Sequence, residues 1–259
     1  MRKHRRAAFP FLAASLAKYV QELASQRIFF EKAMKEDYAS LPHLYVFALL
    51  KTFATTNYLA GGDLQRLASK VLRSPELKDG GVNRRLELKC LLEIGGIPHR
   101  LGSYAGLVKA TDIGARRHLC PVTSTNMEVY RLTHVAFHCS RFGTYPILGL
   151  SLSEKKFLSR QIEVMLPIFL YSRDLDISGE LLLADHCLGH RMWAERPGAT
   201  DLILSSQMSS GAIPGPYYSS TEEGDLRGEG AEDYLFSTCY HSTLVLCLLL
   251  CSVCANAAA

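Results

Sequence analysis

The stretch that most limits what this chain can become is its last one, Asp233 to Ala255, DYLFSTCYHSTLVLCLLLCSVCA. It follows a loop rich in Gly, Pro and Ser and runs as one apolar block with a single imidazole, His241, inside it. A helix that is apolar on every face belongs in the interior of a larger fold. An ionisable group placed there needs a partner, because an uncompensated polar group out of water costs a few kcal/mol. Two other apolar segments carry the same anomaly: His134 in VYRLTHVAFHCSRFG and Asp185 in GELLLADHCLGHRMW. The expectation is that these three helices face one another around a polar pocket.

Apolar residues recur at three- and four-residue spacing in almost every periodic segment, and no useful length alternates with period two. The fold class is therefore all-α. Helices are predicted from Arg6 to Lys35, from Pro42 to about Gly61, from Asp63 through Leu72, from Asn83 to Ile94 and, briefly, from Pro98. In the second half they run from Asn126 to His138, from Ser153 to Tyr171, from an Asp176 cap to the Pro197-Gly198 break, and from Ala199 to Met208. Breaks recur at intervals of roughly 20 residues, the spacing of repeated α-hairpins. One all-helical domain over 1–259 is expected, with 1–125 as outer helices and 126–259 bearing the site. The loop Ser209 to Glu232 is either a lid over that site or a surface loop.

Composition narrows the partners. The net charge is +4 over 259 residues, and Arg2, Lys3, Arg5 and Arg6 hold much of it, so nothing argues for a nucleic-acid surface. The basic start resembles a secretory signal, but helical spacing continues from Phe11 to Leu23, past any cleavage point. Eight cysteines fall mostly within apolar helical runs, as small core residues of a reducing, cytoplasmic compartment. The C-terminal apolar run counts as shorter than the roughly 18 to 20 residues of a membrane span, so a buried core helix and no membrane span are expected. A small-molecule substrate is the expected partner; a homodimer is admitted but not required.

The candidate chemistry follows from neighbours one helical turn away. Asp185 shares a stripe with Ile177, Leu181, Leu188 and Met192, either as a structural carboxylate or as one tuned by burial. His134 has Tyr130, Thr133 and His138 at helical spacing, and Thr133 can also bond back to its own helix. Arg141 either closes that helix or clamps an acidic substrate. His241 is flanked by Tyr240, Ser242 and Thr243, whose hydroxyls a purely structural helix has little use for. His134, Asp185 and His241 are the expected catalytic set, with Tyr130, Thr133, His138, Arg141, Tyr240 and Thr243 binding substrate. The reaction expected is acid–base: a cyclisation, isomerisation or elimination without a cofactor, since no nucleotide, flavin or phosphate motif is present.

Two resemblances rest on these motifs. THVAFHCSRFG, a Leu-rich helix with an acidic residue, QMSSGAIPGP and CYHSTLV together resemble an uncharacterised all-helical actinobacterial family associated with natural-product gene clusters, over roughly Asn126 to Leu250. More distantly, Asp185-His186-Cys187 and Tyr240-His241-Ser242 resemble the zinc-ligand motifs of protein prenyltransferase β-subunits, which are α/α toroids. That likeness implies a toroid and a Zn²⁺ ion on Asp185, Cys187 and His241, although the repeated turns of those enzymes are missing here. A helical-repeat scaffold that binds a partner without catalysis is the third alternative.

Overall fold

A computed structural model describes residues 31, 34, 35, 44, 61–74, 77, 81–190 and 197–256. The helices expected from Arg6 to Lys35 and from Pro42 to Gly61 lie largely outside these residues. Among the described residues the secondary structure is helical throughout, without strands. The chain divides into two compact units, Met1–Gly102 and Ser103–Ala259.

In the first unit, α1 (Gly61–Arg73) and α2 (Gly81–Ile94) share an aliphatic core. Leu64, Leu67, Ala68 and Val71 of α1 recur at helical spacing and are buried with Leu88, Leu91 and Leu92 of α2 and with Ile97 beyond it. Lys89 is nearly buried on α2 and is compensated by Glu93 one turn on, at 2.7 Å.

The second unit contains α3 (Tyr104–Lys109), α4 (Asn126–Ser140), α5 (Leu152–Tyr171), α6 (Leu175–Cys187), α7 (Pro197–Ser205), α8 (Ser220–Asp225) and α9 (Glu229–Asn256). Helix α6 is its centre. All thirteen of its residues are buried, and α4, α5 and α9 pack around it. This relocates the helix without an exposed face: the sequence pointed to the C-terminal helix, whereas the structure puts α6 in that position. One side of α9 is open to solvent, with Phe236, Tyr240 and Leu244 exposed. Helix α9 is also longer than its apolar run suggested, at 28 residues. By length and composition alone its Glu229–Cys251 portion could cross a membrane, which corrects the count made from sequence.

The ends of the surrounding helices are set by local hydrogen bonds. Capping boxes start both α4 (Thr125 with Glu128) and α5 (Ser151 with Glu154). The expected starts at Asn126 and Ser153 were thus one and two residues late. Helix α6 is capped by Asp174, not by Asp176 as the sequence suggested. Helix α4 closes on Arg141, Phe142 and Gly143, with φ of 48°, 56° and 78°. Phe142 folds back to stack on Phe137, and the Arg141 guanidinium lies 4.6 Å from the Tyr145 ring centroid.

Close approach of α9 to α6 depends on a missing side chain. A Cβ on Gly179 would stand 3.1 Å from Val245 Cγ1. Between α7 and α8, the loop expected either as a lid or as a surface loop is fastened to α9. Ile213 is fully buried and its amide donates to Thr243 Oγ1 at 2.9 Å, while a Cβ on Gly215 would fall 2.1 Å from the Thr238 carbonyl oxygen. Gly179→Leu should overpack the α6–α9 contact and cost about 2 kcal/mol in urea unfolding. Adding Val245→Ala should recover part of that loss; no recovery would mean that the two side chains do not compete for the same space.

Candidate functional site

Three helices of the second unit converge on two buried carboxylates. Asp176 and Glu180 are one turn apart on α6, hence on one face of it, and both are almost wholly buried. Helix α4 contributes Tyr130, Thr133 and His134, three and four residues apart on its facing side. Helix α9 contributes His241 and Ser242. Every member comes from an element whose register is fixed by packing against α6, which is why groups so distant in sequence meet.

Asp176 accepts from all three neighbours' hydrogen-bonding groups. His241 Nδ1 lies 2.8 Å from Oδ1, Ser242 Oγ donates to the same oxygen at 2.9 Å, and the Tyr130 hydroxyl donates to Oδ2. Burial alone would raise this carboxyl, but the hydrogen bonds from His241, Tyr130 and Ser242 outweigh it and hold Asp176 below the usual carboxylate range. The bond to Asp176 raises His241 above an ordinary imidazole despite partial burial. Tyr130 is pushed upward, first by burial and then by Asp176, and stays a neutral donor.

Glu180 is held differently. Oε2 accepts the Thr133 hydroxyl. Oε1 faces both imidazoles, 3.4 Å from His134 Nε2 and 3.7 Å from His241 Nε2. The rings are reached by solvent, with side chains 40% exposed for His134 and 43% for His241, while the Glu180 side chain is 1% exposed. With Nδ1 of His241 engaged by Asp176, its Nε2 faces Glu180 on a partly exposed ring, where it can give or take a proton.

Of the expected catalytic set, His134 and His241 are brought together and Asp185 is not. Asp185 is nine residues beyond Asp176, about half a turn round the helix at roughly 100° per residue, so it points to the opposite side of α6. It is fully buried there, 3.4 Å from His190 Nδ1. The same geometry removes the zinc set. Asp185 and Cys187 are two residues apart on one helix and diverge, and His241 is turned to Asp176. Burial pushes the Cys187 thiol up to about 11, despite a hydrogen bond with Ser140. No three His, Cys, Asp or Glu side chains among the described residues stand in a metal-holding arrangement.

The other expected binding residues divide in the same way. Tyr130 and Thr133 serve the carboxylates. His138 is buried behind the site, its ring edge-on to His134 at 5.5 Å and to Phe142 at 5.9 Å. Arg141 caps α4 in a left-handed conformation and lies over Tyr145. Tyr240 is exposed beside His241, ring centroids 6.1 Å apart, and stacks on Phe236. Thr243 donates to the Cys239 carbonyl and accepts from Ile213, so it anchors the preceding strap. Asp176 and Glu180 were not identified from sequence as site residues. The available signal was their i, i+4 spacing inside an otherwise apolar helix.

The protein is thus an all-helical one whose second unit holds two imidazoles against two buried carboxylates. Its chain matches, over residues 2–251, a family described as a domain of unknown function (DUF6895), and belongs to it. No curated protein and no solved structure matches it.

The pH dependence of stability follows from the paired groups. His241, raised in the folded state, stabilises fully below its unfolded value of about 6.5, and that contribution is lost as pH rises through the folded value. Asp176, lowered, stabilises above about 3.9, and that contribution is lost as pH falls through its folded value. Their joint contribution is greatest between those two unfolded values. Urea unfolding at pH 5.5 and 8.5 should therefore show a larger stability difference between wild type and His241→Gln at pH 5.5. An equal difference at both values would break the link to this pair.

Proposed function

We propose that the second unit is a small-molecule enzyme working by general acid–base catalysis, with His241 and His134 as the proton-transferring groups. The single observation that carries this reading is the placement of both Nε2 atoms within 3.7 Å of one buried carboxylate oxygen, with the rings open to solvent. Asp176 holds the His241 ring through Nδ1 and, by favouring the cationic form, keeps a proton available on Nε2. Glu180 stabilises positive charge on whichever imidazole has accepted a proton. One ring can then remove a proton from substrate while the other returns one elsewhere on it, as a cyclisation, isomerisation or elimination requires. The motif resemblance to a family associated with natural-product gene clusters supports a substrate of specialised metabolism, and cysteines set within apolar helical runs support a reducing, cytoplasmic compartment.

A second reading has its own support. Asp176 joins α4, α6 and α9 through three hydrogen bonds, so the cluster also fastens the fold, as it would in a helical scaffold that binds a partner without chemistry. Incubation with a fractionated metabolite extract separates the two. Wild-type protein should deplete at least one small-molecule mass peak and generate another. His241→Gln and His134→Gln, shown folded by circular dichroism, should slow that conversion by about a hundredfold or more. A conversion untouched by both variants would remove the two imidazoles from the chemistry, and none in any extract would favour the scaffold.

A further inference from the structure

The charge inventory of the site bears on what can enter it. Asp176 and Glu180 are buried side by side, and Asp174 lies at the same end of α6, its carboxyl raised by burial. The groups facing these carboxylates from α4 are Asn126, Tyr130, Thr133 and His134, and from α9 His241 and Ser242, with Tyr240 beside His241. No lysine or arginine is paired with any of the three carboxylates among the described residues. Even with both imidazoles protonated, Asp176, Glu180, His134 and His241 together reach only neutrality, so an anionic substrate meets no net attraction here. Arg141, the group expected to clamp an acid, is committed to the end of α4 and the Tyr145 ring.

Glu180 Oε1 has a particular lack. Oε2 takes the Thr133 hydroxyl, but the imidazole nitrogens nearest Oε1 stand at 3.4 and 3.7 Å, too long for strong charge-assisted hydrogen bonds. An oxygen of a carboxylate this deeply held still has room for a donor at ordinary distance. Aromatic rings lie beside the same imidazoles: the Tyr130 ring centroid is 6.2 Å from both, and Tyr240 lies beside His241 in a stacked pair with Phe236. A buried carboxylate oxygen beside tyrosine rings suits a positively charged nitrogen, which donates to the one and is attracted to the faces of the others.

We infer that the site takes an organic cation, a substituted ammonium whose N–H group donates to Glu180 Oε1 while its carbon frame lies against Tyr130 and Tyr240. The inference rests on the acid–base reading above and names its substrate class. His134 and His241, whose Nε2 atoms both face Glu180 Oε1, then lie next to the bound nitrogen and can exchange protons with the carbons beside it.

Three probes of similar shape test this on the full chain: benzylammonium, benzyl alcohol and benzoate, followed by calorimetry and by the ring-proton resonances of His134 and His241. Benzylammonium should bind and move both sets of resonances, with benzoate weaker by about tenfold or more. Glu180→Gln should weaken benzylammonium by about tenfold. Tyr240→Ala, at an exposed position, should weaken it by about threefold in protein shown folded by circular dichroism. Benzoate binding as tightly as benzylammonium, affinity unmoved in both variants, or no binding of benzylammonium at millimolar concentration would each overturn the proposal. An anionic compound converted in the extract experiment would overturn the cation preference and leave the acid–base reading standing. Benzylammonium binding as described, with no compound converted, would support the cation site and sink the enzyme.

Discussion

The second unit is organised by a conflict on α6: a helix with no exposed face that nevertheless carries carboxylates. An ionised carboxylate out of water is tolerated only with donors around it, because the desolvation penalty is several kcal/mol even after relaxation. Asp176 meets that requirement with His241, Ser242 and Tyr130, and Glu180 meets part of it with Thr133 and the two imidazoles. The donors come from α4 and α9, so satisfying the charge fixes how both helices sit against α6. Gly179 allows α9 to come close enough for this, since a side chain there would meet Val245.

Charge is not needed for that fastening. Well-packed apolar groups of similar volume commonly stabilise as well as a buried ionic cluster, and often better. A cluster retained only for cohesion would also gain from full burial, whereas both imidazoles here keep a large exposed fraction. The carboxylates are hidden and the rings they support are partly exposed. That division holds two accessible rings on a rigid base, the arrangement the proposed proton transfer would use.

Much of this was legible in the amino-acid order, for physical reasons that also mark the limit. Helical period identified α4, α5, α6 and α9, and an imidazole inside an apolar run singled out His134 and His241. The error fell on α6. A stripe argument presumes that a helix has a wet side, so that apolar positions reveal the inner one. Helix α6 has none, and the stripe through Asp185 was merely one of several equally apolar lines. Asp176 was hidden for a second reason: an aspartate near a helix start reads as a cap, yet Asp174 does the capping and leaves Asp176 free to face α9. Glu180 carries no local signal beyond its spacing from Asp176. The prenyltransferase-like motif failed on geometry, since neighbouring letters in Asp185-His186-Cys187 project to different sides of one helix.

The C-terminal helix illustrates how one apolar segment can serve two surfaces. His241, Ser242 and Val245 lie toward α6, while Phe236, Tyr240 and Leu244 follow one another at four-residue spacing along the open side. Tyr240 and His241 are adjacent in the chain and therefore diverge by about 100°, which sets the aromatic ring at the rim while the imidazole reaches inward. The strap at Ile213 and Gly215 presses on the same turn of α9, with a Gly215 Cβ falling 3.2 Å from Ser242 Oγ. Any rotation of α9 that moved His241 off Asp176 would have to displace that strap as well. The strap therefore supports the His241–Asp176 contact from behind, so a segment whose composition allowed either a lid or a surface loop contributes rigidity beside the cluster.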